Sequence, residues 1–415
     1  MTTPADAAPT NSPGGGGASV ASAAPGRPML LCLSHLRWDF VTQRPQHLLT
    51  RAARLSGYRV VFWEEPLPGE AGSEPRLDRR APTPEGVEVV VPLLASGTPE
   101  AEAEAAQRRM LAEFLGGTVP RVAWFYTPMA MGFAGDAPAE VVVYDCMDEL
   151  SAFKGAPPRL LDRERDLLAR ADLVFTGGRS LYEAKRDRHR SVHCFPSSIE
   201  AAHFARARSN PPEPADLAAI PRPRIGFFGV VDERMDLDLL GRVAALRPDW
   251  HLVMVGPVVK IDPASLPRAA NIHWVGGRPY ADLPDWLGHW DAGFMAFALN
   301  ESTRFISPTK TPEYLAAGVP VVSTPIRDVV SPYGDEGLVG IASDAPGVVA
   351  ALEEAMARPR GPWLAKADAR IAQGSWDRTW ADMARLIEDA AAASATGAGT
   401  AAPAAAHRQE ATAHV

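Results

Sequence analysis

Residues 302–324 read STRFISPTKTPEYLAAGVPVVST, a loop, a short helix and a buried strand with the charged side chains gathered on the loop and first helical turns. The helix has two starts open to it: Ser307 as N-cap with Pro308 next, or Thr311 as N-cap with Pro312 next. Gly318 supplies the stop, and 319–322 is an apolar run of the kind buried in parallel sheets, with Pro320 near its beginning, where a missing N–H is tolerated. Unpaired amides at a helix start attract phosphate, and Arg304 and Lys310 lie within a few residues of them. Glu313, one or two turns in, can accept hydrogen bonds from a pair of sugar hydroxyls. An ordinary αβ unit with a solvated charged face has the same spacing, so on spacing alone the two readings are even.

A second set of chemically capable residues follows strand-like runs in the first half. Run 29–34 (MLLCLS) precedes a polar and aromatic loop, 35–43, that carries His35, Arg37, Trp38 and Asp39. Run 141–144 precedes Asp145, Asp148 and Glu149. Carboxylates at a strand end are site groups or loop-start caps, and two aspartates on one loop tilt the reading toward a site.

The elements that must position these groups repeat a βαβ grammar. A helix opening at Pro45 and stopping at Gly57 joins run 29–34 to run 58–63, and parallel sheets place ligands at the carboxyl ends of their strands. No G-x-G-x-x-G follows the first strand. Residues 67–84 read as a surface excursion rich in Pro, Gly and charge, and 87–91, 122–126, 173–176 and 192–195 as further strands. A helix from Ser180 carries Lys185, Arg186, Arg188 and Arg190; a solvated face is the leading reading, an anionic membrane surface the minority one. Residues 208–223 (RSNPPEPADLAAIPRP) read as an interdomain linker. The grammar then restarts with strands at 224–228, 252–255, 272–275 and 293–297, the last feeding the opening stretch. The expected fold class is α/β: two facing Rossmann-like domains, 28–207 and 224–375, with a cleft between them. Trp376, Trp380, Met383 and Ile387 give a final helix one apolar face that must pack on a domain.

Composition narrows the function. A chain of 415 residues with net charge −8 argues for two domains and against nucleic acid as partner. Cys32, Cys146 and Cys194 lack metal-ligand spacing and suit a reducing compartment, so no metal is expected. No apolar run reaches the roughly 20 residues that span a bilayer. Residues 1–27 and 392–415 read as disordered tails.

The ordered chain resembles a GT-B fold glycosyltransferase of the large retaining family 4, in particular its bacterial members with an RPQHL opening. The residues that carry the resemblance are RPQHL (44–48), YDCMDE (144–149), ADLVFTGGRS (171–180), NIHWVGGRPYADLPDWL (271–287) and SPTKTPEYLAAGVPVVST (307–324). The resemblance implies a second domain that binds a nucleotide diphosphate sugar as co-substrate, with no other cofactor. It implies a first domain that shapes the acceptor site and a helix, 376–391, that crosses back onto the first domain. Glu313 matches the glutamate that grips the ribose hydroxyls. Lys310 and Arg304 lie where the diphosphate needs positive charge, and Ser307 and Thr309 add hydroxyl or backbone contacts. Gly229 and Gly256, at strand ends, let backbone approach the ligand. Ile306 stands where the family has a second glutamate, and Val230 and Met235 where it has an arginine and a lysine; Arg234 is the substitute cation. Asp148, Asp145 and His35 are the candidates for orienting the acceptor or relaying its proton.

The expected activity is metal-independent transfer, with retention, of a hexose to a cell-envelope, polysaccharide or lipid-linked acceptor. The expected place is the cytoplasm, with a peripheral contact at the inner face of the membrane as an option. A nucleotide-sugar epimerase of the same fold and a degenerate, non-catalytic scaffold are the competing readings.

Overall fold

The computed structural model describes residues 26–70 and 72–396, so most of both expected tails lies outside the described residues. Among the described residues the first sheet has nine strands: β1 Met29–Leu33, β2 Arg59–Trp63, β3 Leu67–Gly69, β4 Arg76–Arg79, β5 Val87–Ala95, β6 Val122–Phe125, β7 Val141–Cys146, β8 Leu173–Thr176 and β9 Val192–Cys194. They run β3-β5-β2-β1-β6-β7-β8-β9, all parallel, with β4 antiparallel on β5. β1, β6, β7 and β8 are buried at every position, which is why they read as unbroken apolar runs. β3 and β4 sit inside the stretch expected to be a surface excursion. β4 reads RLDR and takes a charge-rich edge position, which hides a strand from hydrophobic patterning.

The second sheet has six strands among the described residues: β10 Arg224–Phe228, β11 His251–Val255, β12 Ile272–Gly276, β13 Ala292–Met295, β14 Val321–Ser323 and β15 Val339–Ile341. Their order is β12-β11-β10-β13-β14-β15, all parallel. Strand order reverses between β1 and β6 in one sheet and between β10 and β13 in the other. The loops leaving these reversals open into one crevice, where open α/β sheets hold ligands.

The chain changes domain earlier than the composition indicates. Ile199, Phe204, Ala207, Leu217 and Ile220 all pack in the second domain's core beside Trp286, Trp290 and Tyr314. The crossing therefore precedes residue 199, and the expected linker at 208–223 is docked, with its own Ala215–Ala218 helix. Trp363, Ala367 and Ile371 close the same core. The chain then crosses back: Ser375 caps the Trp376–Ala395 helix by accepting from Arg378 N at 3.1 Å. Trp376, Trp380, Met383, Ile387 and Ala391 bury themselves with Trp124 and Phe175 in the first domain. This helix runs to Ala395, so residues 392–395 are helical and not part of a tail. The two crossings touch: a β-carbon on Gly374 would stand 3.7 Å from Ser198 Oγ.

The expected basic face after Ser180 is only partly free. Lys185 is buried, 2.7 Å from Glu149 and 2.6 Å from Glu164, and Arg188 reaches Glu164 at 2.7 Å. Among the described residues no helix is long and apolar enough to cross a membrane.

Candidate functional site

Between the domains lies a cavity of about 730 Å³. The first domain lines it with 38–44, His47, Arg51 and Asp148, the crossing segment with Glu200, and the second domain with 227–230, Asp232, Arg234, Tyr280, 306–310 and Glu313.

Its second-domain wall is built on the Lys310–Ala317 helix, whose N-cap is Thr309 and whose C-cap is the left-handed Gly318. Neither expected start is used; the helix begins between them. Tyr314 anchors it by donating its hydroxyl to Gly226 O at 3.2 Å. That leaves Lys310 and Glu313 on the cleft side, and among the described residues neither side chain makes a hydrogen bond or ion pair. Burial, then the nearby Arg234, brings the Lys310 ammonium down to about 8. Burial also pushes Glu313 up to about 7, against the pull of Lys310. Both groups are held short of full charge in a site that has removed their water, and an anion with vicinal hydroxyls would restore it.

Two glycines make this wall possible. Gly229 follows β10 at φ +129°, and a β-carbon there would meet Lys310 Cε at 2.1 Å. Gly256 follows β11 at φ +153°, and a β-carbon there would meet Gly229 O at 1.8 Å. Backbone at both strand ends is therefore left open to the cleft.

Arg234 also lines the cleft, but Asp232 grips it, with Arg234 Nε donating at 3.0 and 3.1 Å and Nη2 at 2.7 Å. Its guanidinium lies 5.7 Å from the Phe153 ring of the other domain. Ser307 and Thr309 line the cleft, and Ser307 O accepts from Ser197 Oγ at 2.8 Å across the domain boundary. Ile306, Val230 and Met235 form apolar wall, with Ile306 packed into the second-domain core.

Three sequence candidates fall away from this arrangement. Arg304 is exposed outside the cleft, 3.5 Å from Glu301, because the turn at 301–305 carries it to a separate groove beside Ser180 and Ile326. Asp145 is fully buried in β7 and accepts both contacts of Arg44 Nε, at 3.0 and 2.9 Å, so it closes a core ion pair and cannot meet an acceptor. His35 is not part of the cleft wall. Burial, then Lys260, lowers it to about 4, so the ring is neutral, and its Nδ1 has no partner. Asp148 alone of the first-domain candidates faces the cavity; burial raises its carboxyl, with Arg234 opposing.

Patterning missed other cleft residues. His47 stacks on Trp376 at 4.8 Å and stands 3.5 Å from Glu200, which Arg51 holds at 3.2 Å. Hydrogen bonding from His47, then Arg51, brings Glu200 down to about 2 against its burial. The RPQHL stretch marks Arg44 and His47, but nothing in spacing marks Glu200, Tyr280 or Asp232. Among the described residues no group of three or more His, Cys, Asp or Glu side chains is arranged to hold a metal.

Two facing parallel α/β domains with a helix crossing back define the GT-B fold. Residues 222–358 match the family model described as Glycosyl transferases group 1. TuaH of Bacillus subtilis (strain 168), a candidate teichuronic acid biosynthesis glycosyltransferase, is 26% identical over 202 residues, 44% of this chain. The match spans 50% of that relative's length. Among solved structures, sucrose-phosphate synthase from Thermosynechococcus elongatus aligns with TM-score 0.67 at 15% identity, over 88% of this chain and 100% of that one. An α,α-trehalose 6-phosphate synthase from Burkholderia multivorans aligns with TM-score 0.62 at 14% identity, over 93% and 100%. An E. coli structure described as trehalose-6-phosphate bound with UDP-2-fluoro glucose aligns with TM-score 0.61 at 13% identity, over 86% and 99%.

Proposed function

We propose that the chain is a glycosyltransferase that moves a hexose, with retention, from a nucleotide diphosphate donor to a cell-envelope saccharide acceptor. The observation that carries this reading is the unpartnered, desolvated pair Lys310 and Glu313 at a helix start in the interdomain cleft. In it, Glu313 accepts from the ribose hydroxyls. Lys310 and the helix-start amides take the charge that develops on the diphosphate as the sugar leaves, which is the work a metal does elsewhere. Arg234 stands across from Asp148 and turns part of its charge to the phosphates, while Asp148 orients the acceptor hydroxyl. The group 1 match over 222–358 supports the donor half, and the partial likeness to TuaH supports an envelope polysaccharide as the acceptor class.

The test is turnover of UDP-, GDP- and ADP-hexoses by the purified chain in EDTA, with oligosaccharide acceptors, the product anomer read by NMR. Donor consumption with a retained anomeric bond is expected, lost in Lys310→Ala and kept within about twofold in Arg304→Ala, whose ion pair is exposed. Reversible isomerisation of the donor without transfer, or a strict divalent-metal requirement, would overturn the reading.

A further inference from the structure

Where the chain crosses between domains, a cluster of aromatic and charged side chains surrounds an unpartnered hydroxyl. Tyr280 lines the cleft, and its hydroxyl oxygen is buried without a hydrogen bond. The ring is fixed: it lies flat on His203 at 4.5 Å and 8°, with His47 edge-on at 5.7 Å. His203 Nε2 is 3.0 Å from Tyr280 O, which holds the backbone as well.

Two carboxylates act on this hydroxyl: Glu313 through its charge, and Glu200 through its charge and a loose contact that falls outside hydrogen-bond geometry. Glu200 is already held by His47 and Arg51, and Arg51 also reaches Asp377 on the returning helix at 2.6 Å. Glu313 has no partner among the described residues. Burial, then those two carboxylates, raises the phenol far above its usual range, so across working pH it can only donate or accept as a neutral hydroxyl. An orphaned donor and an orphaned acceptor thus line the same cavity.

We propose that Tyr280 is a positioning residue of the donor site: once a nucleoside diphosphate seats, its hydroxyl donates to the Glu313 carboxylate and holds it ionised toward the ribose. This rests on the glycosyltransferase reading above. The other charged groups facing Glu313 are Lys310 on its own helix and Glu200 from the crossing segment. Around Lys310 stand Arg234, Asp232 and Asp148, and Arg51 faces Tyr280 from the first domain.

The sign of the pH effect follows. A hydrogen bond given to the ionised form of Glu313 adds affinity in full above the free-state value of about 7, loses it as pH falls through the lowered bound-state value, and adds nothing where both states are protonated. Calorimetry with whichever of UDP, GDP and ADP binds the wild-type chain tests this. Tyr280→Phe is expected to bind about tenfold more weakly at pH 7.5 and to converge on wild type near pH 5.5, with an unchanged melting temperature, since only an unpartnered oxygen is lost. In a Glu313→Gln background the same change is expected to cost at most about twofold. Equal affinities at pH 7.5, or a gap constant across pH, overturn the proposal while leaving the donor site standing. A gap that survives in Glu313→Gln but vanishes in Glu200→Gln overturns it too, by assigning the hydroxyl to the other carboxylate. Failure of the wild-type chain to bind any of the three nucleotides overturns both readings together.

Discussion

Side chains of one type part ways here according to what surrounds them. Asp145 lies inside β7 and Asp148 just past its end, three residues apart, yet one is spent on Arg44 and the other faces the cleft. Spacing cannot separate them, because the partner of Asp145 is a hundred residues away in sequence. Asp145→Ala is expected to cost about 3–5 kcal/mol in a denaturation experiment, since it strands the Arg44 charge in the core. Lys310 and Glu313 stand out in SPTKTPE as types and positions that the structure places on the cleft, and their burial does not show in the sequence. That burial sets the pH response of nucleotide binding. Affinity is expected to fall as pH drops through about 7, where Glu313 takes up a proton, and to fall again above about 8, where Lys310 releases one. A nucleotide titration from pH 5.5 to 9.5 checks both limbs. Arg304 shows the limit of reading charge near a motif as charge in a site: one turn of loop puts it on the wrong side.

Elements were legible where a single pattern sufficed. Buried parallel strands announce themselves as apolar runs, and the Trp376, Trp380, Met383, Ile387 stripe announces a helix that must dock. What the pattern left open was the docking partner, which depends on tertiary contacts. Trp380 answers it: fully buried against Trp124 at 6.2 Å, it donates its indole N–H to Ser56 Oγ at 2.9 Å. Trp380→Ala is expected to destabilise the first domain by about 3–5 kcal/mol, measured by chemical denaturation of the intact chain. Short edge elements such as β3, β4 and β15 were not legible as clearly, since three or four residues with charge or glycine carry little periodicity.

At the scale of the molecule, the relation of the domains is set by a few contacts that no local pattern encodes. Asp328 of the second domain reaches into the first and accepts from Arg179 N at 2.8 Å and Ser180 N at 3.1 Å. Gly178 lets it in, because a β-carbon there would lie 2.3 Å from Asp328 Oδ2 and 2.7 Å from Ser307 Cβ. On another side Lys154 N donates to Glu233 Oε1 at 3.1 Å. Gly178→Ala is expected to hold the domains apart, lowering turnover at least about tenfold while nucleotide affinity changes less than about threefold. Parallel kinetics and calorimetry separate the two, since the proposed nucleotide contacts, Lys310, Glu313 and Arg234, all belong to the second domain. The returning helix carries one more consequence, for the order of synthesis. The first domain's aromatic face is sealed by residues that leave the ribosome only after the whole second domain, so a nascent chain must keep Trp124, Tyr58 and Phe175 from other partners until the returning helix arrives.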